Sequence, residues 1–441
     1  MSTAIEAPAP EDFPDGRIPG GKVVAWAFWD WGGAAFNAVA TTFVFTVYLT
    51  SSSFGDPATI SAQLGVWLGL GGLAVFLFAP VTGERSDVSG HRTLWLGVFT
   101  ALVALSLLAM VFVAPNPAYL PLGLAAVALG TVFFELASVN YNGLLVQVST
   151  PKTIGRVSGF GWSMGYFGGI VLLIILLAAF IFPKASFGGI HYVQWSMLAA
   201  TIWFVASAIP VFFAVKDGKP APAPATRAER ILTWIPLVLF VRNLVKIWKE
   251  SRSTFWFLIA SAIFRDGLTG VFTFGGVIAA GTFGFSDTLV IVFAIAANVV
   301  AGVATVSTGA LDDRLGPRRV ILISLIGLLV FGVLVFALAG AGAWVFWAFG
   351  LPLCLFVGPA QSASRSFLTR LIPEGREGEI FGMYQTTGRA ATFIAPLLFA
   401  LFVTLSGNVQ IFGILGILIV IAAGLLLMIP VRSSAAKLSS H

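Results

Sequence analysis

Apolar runs long enough to cross a bilayer recur along the chain, separated by short polar stretches. A spanning helix takes about 20 mostly apolar residues. The pattern predicts helices at 23–48, 62–82, 93–114, 118–145, 157–182 and 192–215, then, after a break, at 253–280, 288–309, 319–339, 343–363, 380–405 and 409–430. The chain thus reads as an all-α polytopic membrane protein with twelve transmembrane helices in two six-helix bundles. Its expected units are a polar N-terminal tail (1–21), a first bundle (22–215), a linker (216–252), a second bundle (253–430) and a C-terminal tail (431–441). The first tail is Pro-rich and acidic and lacks the basic region and short apolar core of a cleavable signal peptide. Within the linker, Lys216–Arg230 is too polar and Pro-rich to span. The next segment, ILTWIPLVLFVRNLVKIWKE, carries Pro236, Arg242, Lys246, Lys249 and Glu250 and predicts an amphipathic stretch lying on the membrane surface.

Composition agrees with that pattern. Hydrophobic residues make up 58% and charged residues 10%, against about 25% charged in a soluble domain. The 48 Gly let helices approach closely where lipid removes any hydrophobic drive between them. The single Cys, Cys354, excludes an intrachain disulfide, and with three scattered His no metal constellation is expected. The net charge of +6 does not point to nucleic acid, because the basic residues gather at helix ends. All of the 25 Lys and Arg except Lys184, Arg265 and Arg389 fall on the side of the chain termini, which predicts cytoplasmic termini and a plasma (inner) membrane location. No Walker loop, nucleophile elbow, HExxH or CxxC occurs, so neither an enzyme nor a cofactor is expected.

The first predicted helix carries Asp30 in an otherwise uncharged run. At about 100° per residue, Asn37 and Thr41 fall about 20° to either side of Asp30 and Tyr48 nearly above it, one polar line on an apolar helix. A carboxylate at membrane depth is costly and faces a bundle interior or a water-filled cavity. Trp26, Trp29 and Trp31 read as an aromatic belt at the inner interface.

The loop expected after the second helix contains Gly83, Asp87, Gly90 and Arg92. The one after the eighth contains Gly309, Asp313, Arg314, Gly316, Arg318 and Arg319. This repeated pattern resembles the signature loop of the major facilitator superfamily, with Val88 and His91 as departures in the first copy. Asp87 and Asp313 can face a helix N-terminus, where negative charge is favoured by about 0.3–1 kcal/mol, and so form latches that differ between conformations. Phe28-Trp29-Asp30 recurs as Phe264-Arg265-Asp266, and Pro151, Gly159 and Gly165 recur as Pro373, Gly382 and Gly388.

AWAFWDW at 25–31, YNGLLVQV at 141–148, GRVSGFGWSMGYFGG at 155–169, FRDG at 264–267 and GPAQSASRSFLTRLIPEGREGEIFGMY at 358–384 resemble the vacuole-effluxer-like family of major facilitators. The resemblance implies pseudo-two-fold bundles around a central solute pathway and, less firmly, export of amino acids.

Candidate pathway residues are the polar groups expected at depth: Asp30, Asn37, Thr41, Tyr48, Glu135, Asn142, Arg265, Asp266, Asn298, Gln385, Thr386 and Arg389. A buried carboxylate, Asp30 or Glu135, suits proton coupling. Arg389 suits a bidentate grip on a solute carboxylate. For Asp30 and Asp266 two roles stay open, pairing or capping at a gate and direct contact with solute or proton. Arg365–Glu379 reads as a charged cytoplasmic loop. The reading that results is a secondary-active exporter of a small organic solute, possibly amino acids, in a lipid bilayer, working by alternating access with protons as coupling ion. The alternatives are a broad drug or metabolite exporter and a non-transporting receptor or assembly factor on the same fold.

Overall fold

The computed structural model describes residues 20–149, 154–184, 189–217, 236–369, 371 and 377–431. Among them twelve helices are long and apolar enough to cross a membrane: Gly20–Leu49, Pro57–Ala79, Arg92–Val111, Pro117–Gly143, Ser163–Ile181, Tyr192–Ala214, Arg252–Gly281, Asp287–Thr305, Pro317–Ala337, Phe346–Leu368, Met383–Leu405 and Gln410–Met428. They are called spans one to twelve below. Local chemistry starts several of them. Pro occupies the first turn of spans four and nine, at Pro117 and Pro317, where its missing N–H costs nothing. The Asn116 side chain accepts the Ala118 N–H at 2.9 Å, and Ser251 accepts the Thr254 N–H at 3.3 Å.

The main helix pairings of the first half recur in the second. Span three packs on four as nine does on ten, one on five and six as seven does on eleven and twelve, and two on four as eight does on ten. Between the halves, span two lies on eleven, five on eight, and one on seven. The face on which span one begins is called the linker side, and the opposite face the far side. On the linker side, helix Pro236–Glu250 packs on spans two and seven. Phe240 meets Phe76 and Ile247 is buried, while Val238, Val241 and Val245 stay exposed.

Three expectations change. The signature segments are mostly helical: span two continues to Ser89 and span eight to Leu315. Only Gly90 (φ 69°) and Gly316 (φ 79°) make the turns, in a left-handed conformation that glycine adopts without strain. A polar run can extend a helix beyond the apolar stretch that betrays it, because past the bilayer nothing demands apolar side chains. Span one is not a uniform α-helix either. Its middle, Ala35–Phe43, is π-helical, so hydrogen bonds reach five residues back and the angular register falls behind. Third, span ten runs to Leu368 and therefore contains Arg365, which the sequence placed in a loop.

Span eleven is broken: one helix ends at Ala391 and the next starts at Ile394. At the break, the buried Asp266 carboxylate accepts the Ala395 backbone N–H at 2.6 Å. It thereby satisfies a donor that lipid-excluded water cannot reach. Asp266→Ala leaves that donor bare and is expected to destabilise the protein by about 1–3 kcal/mol, read as a lowered thermal unfolding midpoint in detergent.

Candidate functional site: the seam between the bundles

The far half of the seam is tightly closed. A Cβ added at Gly65 would lie 2.8 Å from the Pro396 carbonyl oxygen, and one at Gly72 would lie 2.8 Å from the Phe393 nitrogen. Spans two and eleven therefore meet backbone to backbone, which only glycine permits. A Cβ at Gly276 of span seven would collide with the Thr42 carbonyl of span one. Two side-chain bridges join the halves here. Gln410 donates to Ser61 Oγ at 2.7 Å, and the Tyr192 hydroxyl donates to the Asp287 carboxylate.

His191 caps this closure. Its ring stacks on Tyr48 at 5.2 Å and lies tilted against Tyr192 at 4.1 Å. Burial lowers its pKa, opposed by the nearby Asp287 charge. A base whose folded-state pKa lies below its unfolded value stabilises the fold above that unfolded value, about 6.5, and the contribution is lost as pH falls. Acidification from neutrality to pH 5 is therefore expected to lower the unfolding midpoint, and His191→Gln is expected to flatten that dependence.

The linker-side half of the seam holds charge. Glu135 of span four and Arg389 of span eleven form an ion pair at 2.5 Å, with side chains 32% and 13% exposed. The same guanidinium also donates to the Glu135 carbonyl oxygen at 2.7 Å. Glu135 is about 12 Å and Arg389 about 9 Å along its helix from the linker-side end of its span, at 1.5 Å per residue. The pair thus ties one bundle to the other at membrane depth.

Nearby, Arg365 of span ten lies among Asp30, Tyr166, Arg265 and Tyr384. The Tyr141 hydroxyl faces Asp30 without reaching hydrogen-bond geometry. Arg265 donates to the Tyr384 carbonyl at 3.2 Å and to Gln385 Oε1 at 3.4 Å, and lies 4.2 Å over the Tyr384 ring. Gly388 makes room for it: a Cβ there would come within 2.8 Å of its guanidinium. Asp30, Arg365, Arg265 and Gln385 thus come from spans one, ten, seven and eleven, both bundles contributing.

The other sequence candidates separate. The single polar line on span one does not form. Asn37 is exposed, and both Thr41 and Thr42 hydroxyls donate to its carbonyl oxygen at 2.8 and 2.6 Å. Tyr48 is buried and donates to the Val113 carbonyl at 2.9 Å, inside the first bundle. The π-helical stretch turned it away. Asn298 donates at 2.8 Å to Ala294 in its own helix. Asn142 is exposed, and Thr386 is partly buried. Asp266, the sequence counterpart of Asp30, is given to the span-eleven break.

Trp26 and Trp29 do not take the interfacial position expected of them, whereas Trp31 is partly exposed and stacks on Trp203 at 5.6 Å. Trp26 and Trp29 are buried and both stack on Tyr141 at 4.5 Å. Trp29 donates to Thr100 and Trp26 to the Tyr141 carbonyl. Helical spacing turns them into the bundle, because span one lies at its centre rather than at its rim.

Of the signature residues, Arg318 donates at 2.5 and 2.7 Å to the carbonyls of Val431 and Ile429, closing the end of span twelve. Arg92 lies against Gly143, where a Cβ would collide with its guanidinium. Arg319 is exposed, and Gly83 and Gly309 lie within helices. The side chains of Asp87, Asp313 and Arg314 lie outside the described residues. Arg365 lies only two residues beyond the apolar run that predicts a helix to 363, so the apolar pattern alone puts it in the loop and not among the pathway candidates.

Residues 146–439 match the family model described as vacuole effluxer Atg22 like. The chain is 25% identical over 425 residues to YxiO of Bacillus subtilis, named an uncharacterized MFS-type transporter, covering 93% of this chain and 95% of that one. It is 23% identical over 446 residues to autophagy-related protein 22 of Yarrowia lipolytica, covering 88% and 73%. Among solved structures, a bacterial homologue of the iron transporter ferroportin superposes with a TM-score of 0.63 in its inward-facing state at 17% identity, covering 94% and 98%. Its outward-facing state gives 0.57. These relatives and neighbours are transporters, and an enzyme reading has no support among them. The chain belongs to the Atg22-like vacuole effluxer family and is a multi-pass membrane transporter of the major facilitator type.

Proposed function

We propose that the protein exports a small zwitterionic solute, of which amino acids are the simplest class, by alternating access with proton coupling. The observation that carries this reading is the Glu135–Arg389 pair bridging the bundles. A solute bearing both a carboxylate and an ammonium can satisfy both partners at once, its carboxylate on Arg389 and its ammonium on Glu135. It then replaces the one ion pair with two, so neither charge is stranded at membrane depth. Arg365 and Arg265 add guanidinium donors suited to planar carboxylates on the same side.

The distribution of basic residues supports a cytoplasmic linker side. Closure of the far side by Ser61–Gln410, Tyr192–Asp287 and the glycine contacts supports an inward-facing state. The greater likeness to an inward-facing neighbour than to its outward-facing form points the same way. Asp30, beside Tyr141 and within reach of Arg365, is the carboxylate placed to exchange a proton as the pathway opens.

Counterflow in proteoliposomes tests the solute class. Amino acids should exchange, whereas the matching amines without a carboxylate and acids without an amine should not. Equal exchange of all three would refute the zwitterion reading.

A further inference from the structure

An apolar cavity lies apart from the polar seam. It has a volume of about 70 Å³, and every residue lining it is apolar. Spans seven, eight, nine, ten and twelve of the second bundle supply the walls, among them Phe293, Phe346, Cys354 and Leu418. The remaining wall is Phe43, from span one of the first bundle. Gly275 also lines the space, and a Cβ built there meets nothing within 4 Å, so the room is open where a side chain would stand. A cavity without polar groups gives water no partners and stays dry, and such cavities take up small apolar molecules.

Two of the helices that shape it, spans one and ten, leave regular geometry there. Phe43 ends the π-helical stretch Ala35–Phe43, and Phe346 and Gly350 bound the π-helical turn Phe346–Gly350. Single π turns within helices concentrate at functional sites. Here the widened turns place an aromatic ring of each bundle on one void.

We infer that this cavity is a binding site for a small neutral hydrocarbon group, held between Phe43 of the first bundle and the helices of the second. Because its wall comes from both halves, an occupant favours the far-side-closed arrangement in which Phe43 lies against span seven. The inference is independent of the solute assigned to the polar seam.

Cys354 makes the test direct, since it is the only cysteine in the chain and stands in the cavity wall. The full-length protein in lipid nanodiscs is treated with methyl methanethiosulfonate, and modification of Cys354 is followed by intact-protein mass. Xenon under pressure is the probe. At a xenon concentration twice its Kd, occupancy should slow the modification about threefold. Gly275→Leu fills the space and should slow labelling without xenon while abolishing the response to it. Phe43→Ala opens the wall and should speed labelling and weaken protection. Should Gly275→Leu fail to fold, Gly275→Ala, which meets no neighbour, should give a partial loss of the xenon response. Unchanged wild-type labelling under xenon overturns the site, as does equal slowing in wild type and the Gly275 variants.

Discussion

Arg389→Ala is expected to suppress solute counterflow by about a hundredfold or more, while the protein still inserts and folds. Removing one partner of a buried ion pair leaves the other uncompensated, at a cost of about 3–5 kcal/mol. Glu135 is 32% exposed, so solvent screens part of this and the lower end applies. About 2.7 kcal/mol already corresponds to a hundredfold in an equilibrium or rate constant. The conservative Arg389→Lys keeps the charge but loses the planar guanidinium, whose Nη1 bonds both the carboxylate and the carbonyl of Glu135 and whose other N–H groups are available to a planar solute carboxylate. It should raise the half-saturating solute concentration more than it lowers the maximal rate. The charge exchange Glu135→Arg with Arg389→Glu should recover part of the loss if the pair acts as a unit across the seam. No recovery, together with full folding, would mean that the two residues act separately.

Asp30→Asn should separate exchange from accumulation. The amide keeps the shape of the carboxylate but cannot take up and release a proton. Counterflow, which needs no driving ion, should continue at a rate within about tenfold of wild type, equivalent to about 1.4 kcal/mol. Accumulation driven by a pH gradient should be lost. Asp266→Asn, at the counterpart position, should behave differently: its Oδ1 can still accept the Ala395 N–H, so coupling should persist with a modest loss of stability. Proton-driven accumulation that survives Asp30→Asn at every pH would remove Asp30 from the coupling path.

That contrast shows how far sequence repetition can be trusted. Phe28-Trp29-Asp30 and Phe264-Arg265-Asp266 are the same motif in two halves, and the structure packs the two bundles to one plan. Yet Asp266 is buried against a backbone amide, while Asp30 is partly accessible beside Tyr141. The difference comes from span eleven, whose break between Ala391 and Ile394 exposes an amide for Asp266 to satisfy. A break in another helix leaves no trace in the residues around Asp266.

The ion pair illustrates the same limit. Glu135 and Arg389 each stand out as charges in apolar runs, which is why both were legible as candidates. Their 254-residue separation in the chain gave no sign that they would meet. Only the assembly of the two bundles, with span two laid on span eleven, brings the long Arg389 side chain within reach of Glu135 on span four.

The chain's hydrophobic pattern alone determined the twelve spans, the halving into two sets of six and the depth of most charged groups, because a bilayer enforces length and apolarity residue by residue. What the tertiary structure decided is direction. A π-helical stretch in span one carries Tyr48 out of line with Asp30, and a helix one turn longer than its apolar run draws Arg365 into the interior. Packing around a central helix turns Trp26 and Trp29 inward. Each outcome depends on where a side chain points after many helices have settled against one another, and periodicity along one strand of sequence does not contain that information.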